Sequence, residues 1–340
     1  MEKYENETIA AIATALSDSG IGIVRISGEN AIYIIDNIFR SAAGRRILTK
    51  VQSHTIHYGY IVDSNENVID EVMVAVMKAP RSYTTEDTVE INCHGGVLVM
   101  QKVLEAVLHA GARLAQPGEF TKRAFLNGRI DLSRAEAVID VIHSQNEYAL
   151  SSSVSQLKGQ LSNKIHTLRE DILYQIAFIE SALDDPEHIS LDGYPEQLSG
   201  KVTGFEKEIQ KLLATAGNGR LIKEGISTVI VGKPNAGKSS LLNMLLGEDR
   251  AIVTEIAGTT RDALHETINL HGISLNMIDT AGIHETQDVV EKIGVERAKK
   301  YAMDADLILY VVDASGNIDE DDQNIISLLD GKKAIILLNK

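Results

Sequence analysis

Residues 232–240 read Gly-Lys-Pro-Asn-Ala-Gly-Lys-Ser-Ser, which are the residue types and spacing of a phosphate-binding loop. They follow the apolar run 226–231 and precede the helical run 241–246. In such a strand-loop-helix the glycines let backbone N–H groups turn towards phosphates, and the helix N-terminus favours negative charge. We therefore expect Lys238 to reach the terminal phosphates and Ser239 to hold magnesium. The alternative is a chance Gly-Lys-Ser turn, but the flanking strand and helix favour the phosphate site.

Two segments further along the chain suit a nucleotide-dependent switch. The strand-like run 273–278 leads into Asp-Thr-Ala-Gly at residues 279–282. Asp279 can hold the magnesium shell there, and the glycine N–H can meet the γ-phosphate. The polar, glycine-containing segment 254–262 has the composition of a switch loop, and we assign Thr260 as its magnesium-sensing hydroxyl.

The last two apolar runs, 307–312 and 334–338, predict two more buried parallel strands. The second leads into Asn339-Lys340, where the sequence ends. The order of phosphate loop, switch threonine, Asp-Thr-Ala-Gly and Asn-Lys resembles the translation-factor-like GTPases, whose guanine-reading motif is Asn-Lys-x-Asp. Only half of that motif is present, so guanine specificity is inferred from the half and its spacing, and we expect a C-terminally incomplete G domain.

From these motifs we predict a GTP-binding site formed by the phosphate loop, the switch segment, the Asp-Thr-Ala-Gly tetrapeptide and the terminal Asn-Lys pair. Its predicted members are Asn235, Ala236, Gly237, Lys238, Ser239, Ser240, Thr254, Glu255, Ile256, Ala257, Gly258, Thr259, Thr260, Asp279, Thr280, Ala281, Gly282, Asn339 and Lys340. Magnesium is expected at Ser239 and Thr260.

The composition is that of an ordinary soluble protein, with 340 residues, 44% of them apolar, and a net charge of −15. No apolar run reaches the roughly 20 residues that span a bilayer, and the N-terminus lacks the pattern of a signal peptide. We expect a cytoplasmic protein with no membrane partner. The negative charge excludes broad nonspecific binding to a polyanion, so a nucleic acid would have to meet a local basic patch or a partner's surface. Cys93 can form no internal disulfide, and a buried apolar role is favoured over a nucleophile.

The texture of the chain changes along its length. Up to about residue 116, short strands and helical runs mix, which predicts an α+β domain. From residue 132 onward apolar residues recur at helical spacing, which predicts long helices. Those helical runs cover 132–142, 148–183 and 196–213. One apolar stripe consists of Leu157, Leu161, Ile165, Leu168, Ile172 and Ile176. We favour an intramolecular bundle core for this stripe, with an interface as the alternative.

Breaks in the helical pattern define the predicted domains. Segment 184–193 contains Pro, Gly and acids, and Gly-Asn-Gly at 217–219 is a second break. The predicted fold is multidomain α+β and α/β. It comprises an N-terminal domain over 1–118, the first half of a helical bundle domain over 119–217, and an incomplete P-loop GTPase domain over 218–340.

Three N-terminal blocks, together with the phosphate loop, resemble the MnmE (TrmE) family of tRNA-modification GTPases. They are Ile-Gly-Ile-Val-Arg-Ile-Ser-Gly at 21–28, Cys-His-Gly-Gly at 93–96, and Pro-Gly-Glu-Phe-Thr-Lys-Arg-Ala-Phe-Leu-Asn-Gly at 117–128. The Pro-Gly-Glu-Phe block is specific to that family. The resemblance implies a dimerising, folate-binding N-terminal domain, a helical domain, and a G domain inserted into the helices, so a homodimer is expected.

The resemblance also implies an activity. Members of the family act with an FAD-dependent partner, MnmG (GidA), to add an aminomethyl-type group to carbon five of the wobble uridine of certain tRNAs. Formyl-tetrahydrofolate binds the N-terminal domain, and GTP hydrolysis gates the reaction. The family's C-terminal helices, which end in a cysteine motif, are absent, so we do not expect this chain alone to perform the complete reaction.

The family's folate-contacting positions fall on Arg25, Glu90 and Arg129. A carboxylate can accept two hydrogen bonds from the aminopyrimidine edge of a pterin, and cations can face the glutamate tail. From residue type alone, ordinary surface or strand-pair charges explain Arg25 and Glu90 equally well. Both interpretations stay open at the level of sequence.

Hydrolysis needs a device other than the usual glutamine, because Ile283 occupies its place after Asp-Thr-Ala-Gly. Asn235 and backbone oxygens of 254–259 could surround a monovalent cation, which would supply the charge of an arginine finger. The resemblance implies that this ion is potassium, ligated by Asn235, Thr254, Ile256 and Thr259, and that G domains pair across the dimer. Asn235 could instead only shape the loop.

The predicted catalytic residues are thus Asn235, Lys238 and Glu291. The role of Glu291, orienting the attacking water through a second water, is implied by the resemblance, and a solvated helix carboxylate is the alternative. A competing function is a regulatory switch of the ribosome-assembly type without folate chemistry. The N-terminal blocks around Arg25 and Glu119 favour the enzyme, because a switch needs no such domain.

Overall fold

The computed structural model describes residues 7–248, 266–270, 272–278, 301, 303–316 and 318–340. It divides into two compact units, Met1–Ala135 and Glu136–Lys340. This division is coarser than the three predicted domains, whose boundaries stay predictions. The predicted residues that lie outside the described ranges are named below with the site.

The first unit is built on a seven-stranded sheet with strand order β3-β4-β5-β6-β2-β1-β7. Its strands are β1 (Ile9–Ile12), β2 (Ser19–Ser27), β3 (Phe39–Ser41), β4 (Thr55–Val62), β5 (Val68–Met77), β6 (Thr88–Gly95) and β7 (Arg113–Leu114). Its helices are α1 (Ala31–Ile38), α2 (Val97–His109) and α3 (Glu119–Leu126). All strand pairs are antiparallel except β1 with β7. The predicted α+β texture is confirmed.

One face of this sheet is buried and the other is open. Alternate residues of β5, Val72, Val74 and Val76, pack with Ile35 of α1 and Val103 of α2 in one core. This period of two follows from the pleat, which directs successive side chains to opposite faces. Cys93 lies in the same core, as predicted, and burial raises the pKa of its thiol to about 11.

Helices α4 (Leu132–His143), α5 (Glu147–Leu157), α6 (Gln160–Asp184) and α7 (Tyr194–Glu224) follow. Two expectations about them are wrong. The run 148–183 is two helices rather than one, because Gly159 adopts a left-handed φ of 80° that ends the hydrogen-bond ladder. Conversely, Gly-Asn-Gly at 217–219 does not break α7. Each glycine lowers helix stability by only about 1 kcal/mol relative to alanine, and this segment contains no proline.

The apolar stripe of α5 and α6 is not the bundle core that we favoured. Only Leu168 is buried, whereas the other five residues are 37–53% exposed in the part of the chain that the structure describes. Helical periodicity identifies an apolar face but not what covers it. The exposure favours the alternative that the stripe is an interface, and the helical bundle itself stays a prediction.

The G-domain sheet has strand order β12-β11-β8-β10-β9. The strands are β8 (Ile226–Val231), β9 (Glu266–Leu270), β10 (Ile273–Met277), β11 (Leu307–Asp313) and β12 (Ala334–Asn339), with helices α8 (Lys238–Glu248) and α9 (Glu320–Leu328). All pairs are parallel except β9 with β10, which confirms an α/β domain.

Strand β12 departs from the predicted burial. It pairs in parallel with β11, as predicted, but lies at the edge of the sheet, and Leu338 is 75% exposed. A continuous apolar run indicates a strand but does not show whether both faces are covered. No helix in the described part of the chain is long and apolar enough to cross a membrane.

Candidate functional site

The phosphate loop joins β8 to α8 and is organised around Lys238, the first residue of α8. Its Nζ donates to the carbonyl oxygens of Gly232, at 2.8 Å, and Lys233, at 2.7 Å. Burial lowers the pKa of Lys238. Because these partners are neutral carbonyls, the ammonium would gain from an additional contact with anionic phosphate oxygens. The loop therefore has the geometry that the predicted phosphate role requires.

The structure also describes the other predicted residues of this loop, whose role in nucleotide binding stays a prediction. Asn235 is exposed and adopts a left-handed φ of 61°, a region that asparagine tolerates better than most residues. Ala236 is buried, and Ser239 and Ser240 lie on the first turn of α8. The position of Asn235 agrees both with a cation ligand and with the loop-shaping alternative.

The structure brings the end of β12 to this loop. The side-chain Nδ2 of Asn339 donates to the carbonyl oxygen of Ala236 at 2.8 Å. The Nζ of Lys340 pairs with Oδ2 of Asp313, at 2.9 Å, at the end of β11. Hydrogen bonds from Ser315 and Lys340 lower the pKa of Asp313 to about 2. Asp313 was not among the residues predicted from the sequence, although it is an acid at the end of a buried strand.

The remaining members of the predicted nucleotide site lie outside the described residues and stay predictions. They are Thr254, Glu255, Ile256, Ala257, Gly258, Thr259, Thr260, Asp279, Thr280, Ala281, Gly282 and Glu291.

Two of the three predicted folate positions, Arg25 and Arg129, lie against one aromatic ring, that of Tyr83, and the third, Glu90, pairs with Arg25. Arg25 and Glu90 face each other across β2 and β6, and Nε of Arg25 donates to Oε1 of Glu90 at 2.7 Å. The guanidinium carbon of Arg25 lies 5.7 Å from the ring centroids of Tyr83 and Phe120. That of Arg129 lies 4.9 Å from the Tyr83 centroid, and its Nη1 donates to the Tyr83 carbonyl oxygen at 3.0 Å. These distances are within the range of cation–π contacts.

The ion pair does not exhaust the hydrogen-bonding capacity of Glu90. Arg25 donates to Oε1 of Glu90, and no donor among the described residues is hydrogen-bonded to Oε2. An ionised carboxylate oxygen can accept two hydrogen bonds. The strand-pair interpretation of Arg25 and Glu90 is thus correct, and the pair still has an oxygen with which to bind a donor group.

Helix α3 fixes the loop that carries Tyr83. The hydroxyls of Tyr83 and Thr121 are hydrogen-bonded at 2.9 Å. Arg123 is buried, and its Nη1 donates to both carboxylate oxygens of Glu86 at 3.2 and 3.1 Å. Glu86 also accepts from the buried hydroxyl of Ser27 at 2.8 Å. The third block, at 117–128, therefore positions the ring that Arg25 and Arg129 contact.

Glu119 in that block organises the start of α3. Its carboxylate accepts from the backbone N–H of Gln116 at 2.8 Å, from Arg113 at 2.7 Å and from Arg123 at 3.2 Å. Burial alone would raise the pKa of Glu119, but the hydrogen bonds from Arg113, Gln116 and Arg123 outweigh it and lower the pKa to about 2. An acid in the first helical turn also interacts favourably with the helix dipole.

We call Arg25, Tyr83, Glu90 and Arg129 the Tyr83 cluster. An open pocket of about 550 Å³ lies beside it, lined among others by Tyr83, Arg129, Arg81 and His54. Arg25 and Glu90 are not among its lining residues. Its cationic and aromatic lining suits an anionic part of a ligand. Tyr83 was not among the residues predicted from the sequence, where it is an aromatic residue within a polar segment.

Comparisons with known proteins find a matching family model in each of the two units. A family model described as GTP-binding protein TrmE N-terminus matches residues 8–129, and one described as 50S ribosome-binding GTPase matches residues 227–340. The tRNA modification GTPase MnmE of Lachnoclostridium phytofermentans is 61% identical over 336 residues, which are 99% of this chain and 73% of that protein. The MnmE proteins of Alkaliphilus oremlandii and Enterococcus faecalis are 53% and 51% identical over 99% of this chain, covering 73% and 72% of their lengths.

These matches cover nearly the whole chain, including the N-terminal unit, the helices and the phosphate loop. The similarity is therefore not confined to a nucleotide-binding module that many proteins share. The chain belongs to the MnmE family of tRNA modification GTPases.

Proposed function

We propose that this chain is a GTPase that acts on tRNA, at carbon five of the wobble uridine, together with an FAD-dependent partner of the MnmG (GidA) type. Its N-terminal unit binds formyl-tetrahydrofolate as the one-carbon donor. The observation that carries the proposal is that Arg25, paired with Glu90, and Arg129 both lie against the ring of Tyr83, in a chain that also contains a phosphate loop. Family membership supports the GTPase and the tRNA substrate.

The phosphate loop binds GTP through its own groups. Lys238, whose Nζ is positioned by the carbonyl oxygens of Gly232 and Lys233, contacts the β- and γ-phosphates. Ser239 and Thr260 would hold magnesium, which neutralises charge on the phosphate oxygens. Ser239 fits this role because it immediately follows Lys238 on the first turn of α8. Glu291 would orient the attacking water through a second water.

Potassium suits the same loop. Asn235 would hold it together with Thr254, Ile256 and Thr259, and the ion would supply the positive charge that an arginine finger supplies elsewhere. The exposed position of Asn235 on the loop supports this role. We expect faster GTP hydrolysis in potassium chloride than in sodium chloride at equal ionic strength, and loss of the difference in Asn235→Ala. Equal rates in the two salts contradict the cation role.

The residues of the Tyr83 cluster fit a folate chemically. Oε2 of Glu90 can accept hydrogen bonds from the aminopyrimidine edge, and the Tyr83 ring can stack on a flat heterocycle. Arg25 and Arg129 can face the carboxylates of the glutamate tail. A homodimer is supported by the open sheet face of the N-terminal unit, where Tyr58 and Met73 are about half exposed.

Calorimetric titration of the chain with formyl-tetrahydrofolate tests the folate site. We expect saturable heat in the wild type, and at least tenfold weaker binding in Glu90→Gln and Tyr83→Leu. Arg46→Ala is the control, because this arginine pairs with Asn37 on the surface of the same unit. The absence of heat in folded wild-type protein would favour the regulatory switch, for which the matching 50S ribosome-binding GTPase model is the supporting observation.

A further inference from the structure

The side chain of Lys233, the second residue of the phosphate loop, forms a network that the functions above do not use. Its Nζ contacts Oδ2 of Asp319 at 2.7 Å and Oδ2 of Asp322 at 2.5 Å, both at the start of α9. Oδ1 of Asp322 accepts a hydrogen bond from the hydroxyl of Tyr310, in β11, at 2.8 Å. Asp322 and Tyr310 are both buried. Four side chains thus connect the loop, a central strand and a helix.

The two aspartates also cap α9. Oδ1 of Asp319 accepts from the backbone N–H of Asp322 at 3.2 Å, and Oδ2 of Asp322 accepts from the backbone N–H of Asp319 at 3.1 Å. This reciprocal pattern is a capping box. It brings two carboxylates together, and like charges at such a separation repel unless a cation lies between them. Lys233 supplies that cation.

The protonation states agree with an ionic network. Hydrogen bonds from Lys233 lower the pKa of Asp319 and of Asp322, and the same two carboxylates raise the pKa of Lys233. All three groups are therefore charged near neutral pH.

The main chain of Lys233 shapes the phosphate loop itself. Its carbonyl oxygen accepts from Nζ of Lys238 at 2.7 Å and from the backbone N–H of Ala236 at 3.2 Å. The residue whose side chain is anchored to α9 is therefore also the residue that holds the phosphate-binding lysine. Fixing this turn in advance reduces the conformational entropy that nucleotide binding would otherwise have to remove.

We propose that Lys233 is a positioning residue of the nucleotide site, which clamps the first turn of the phosphate loop to Asp319 and Asp322 and thereby sets nucleotide affinity. The proposal rests on the assignment of the loop as the GTP site. Lys233 acts through the loop backbone and through Lys238, without touching the phosphates.

Equilibrium titration of this chain with a fluorescent GDP analogue and magnesium tests the clamp. We expect Lys233→Met to weaken affinity about tenfold, which corresponds to about 1.4 kcal/mol. Lys233→Arg keeps a cation of similar reach, and we expect it to stay within about threefold of the wild type. Lys333→Met, which removes an exposed lysine just before β12, is the matched control and leaves affinity unchanged.

A double-mutant cycle separates the clamp from a general loss of stability. If Lys233 acts through Asp322, the variant Lys233→Met/Asp322→Asn binds no more weakly than Lys233→Met alone. Should Asp322→Asn fail to fold, Asp319→Asn removes the more exposed partner and serves the same cycle. Binding is measured at a temperature well below the unfolding midpoint of each variant, so that every variant is folded. If Lys233 only stabilised the fold, Lys233→Met would then keep wild-type affinity, and Lys233→Arg would have no loss to restore.

The proposal is overturned if Lys233→Met binds within twofold of the wild type while Lys238→Ala loses binding. Failure of the wild type to bind the analogue would instead overturn the assignment of the GTP site, and the clamp with it.

Discussion

The side-chain amide of Asn339 donates a hydrogen bond to the carbonyl oxygen of Ala236 at 2.8 Å, so the end of β12 contacts the phosphate loop directly. Asn339 belongs to the predicted base-reading segment, and Ala236 is a buried member of the loop. The predicted base-reading segment and the phosphate loop are thus joined by a hydrogen bond within the protein. A change at either residue is expected to alter the other part of the site.

The first prediction concerns Asn339→Ala. The variant loses the hydrogen bond to Ala236, and a neutral hydrogen bond contributes about 1 kcal/mol, so we expect GDP affinity to fall about fivefold. Asn269→Ala is the control, because Asn269 makes a similar bond to the backbone N–H of Gly272 away from the loop. Fluorescence titration measures both, and equal affinities in the two variants would contradict a role for the contact.

The second prediction concerns Gly237→Ala. Gly237 has a φ of 105°, and a Cβ atom there would lie 2.1 Å from Nδ2 of Asn339. Both the backbone conformation and the collision displace the loop, so we expect GDP affinity to fall more than about tenfold. The double variant Gly237→Ala/Asn339→Gly removes the collision but keeps the backbone strain. It should recover part of the affinity, and recovery to the level of Asn339→Gly alone would show that strain is unimportant.

Local signals explain what the sequence predicted well. The bounds of β8 match the predicted strand to the residue, because a six-residue apolar run leads directly into the glycine of the loop. Strand β9, Glu266–Leu270, was not predicted, since Glu-Thr-Ile-Asn-Leu is short and only partly apolar. Its place in the sheet depends on antiparallel pairing with β10, which is a tertiary relationship.

The Tyr83 cluster shows why the arrangement of the candidate site could not be predicted from the sequence. Arg25, the neighbouring Tyr83 and Glu90, and Arg129 come from three separate stretches of the sequence, and strand register and the fixing of the loop by α3 bring them together. The residue types of Arg25 and Glu90 agreed both with a ligand site and with a strand pair. The contacts show a strand pair in which Oε2 of Glu90 can still accept a hydrogen bond from a ligand. The stripe containing Leu168 is the opposite case, because its period was correct and its burial was not.

The third prediction concerns acid stability. Hydrogen bonds depress the pKa of Glu119 to about 2, so its contribution to stability is complete above the unfolded-state pKa of 4.5 and disappears as the pH falls towards 2. We expect Glu119→Gln to lower the free energy of unfolding at pH 7 by at most about 3 kcal/mol, with the difference vanishing near pH 2. Urea unfolding followed by circular dichroism measures this. Glu105→Gln, in an exposed pair with Lys102, should show little change, and a pH-independent deficit in Glu119→Gln would contradict the argument.

The fourth prediction concerns Asn146, which connects three elements of the second unit. Its side-chain oxygen accepts from the backbone N–H of Ala149 at 2.7 Å and so caps α5. Its Nδ2 donates to the buried hydroxyl of Ser274, in β10, at 2.9 Å, and to the carbonyl oxygen of Ile222, in α7, at 3.3 Å. Asn146→Ala loses the cap, worth about 1 kcal/mol, and leaves buried groups without a partner, at about 1–3 kcal/mol more.

Asn146→Ser separates the two contributions, because serine caps a helix well but is too short to span to β10 and α7. We expect chemical denaturation to place its stability between those of the wild type and Asn146→Ala. Ser274→Ala should cost no more than the step from wild type to Asn146→Ser, since it removes one of the two bridging hydrogen bonds that Asn146→Ser removes. If Asn146→Ser were as stable as the wild type, Asn146 would be only a helix cap, and the connection between α5 and the strand that precedes the Asp-Thr-Ala-Gly segment would carry no energy.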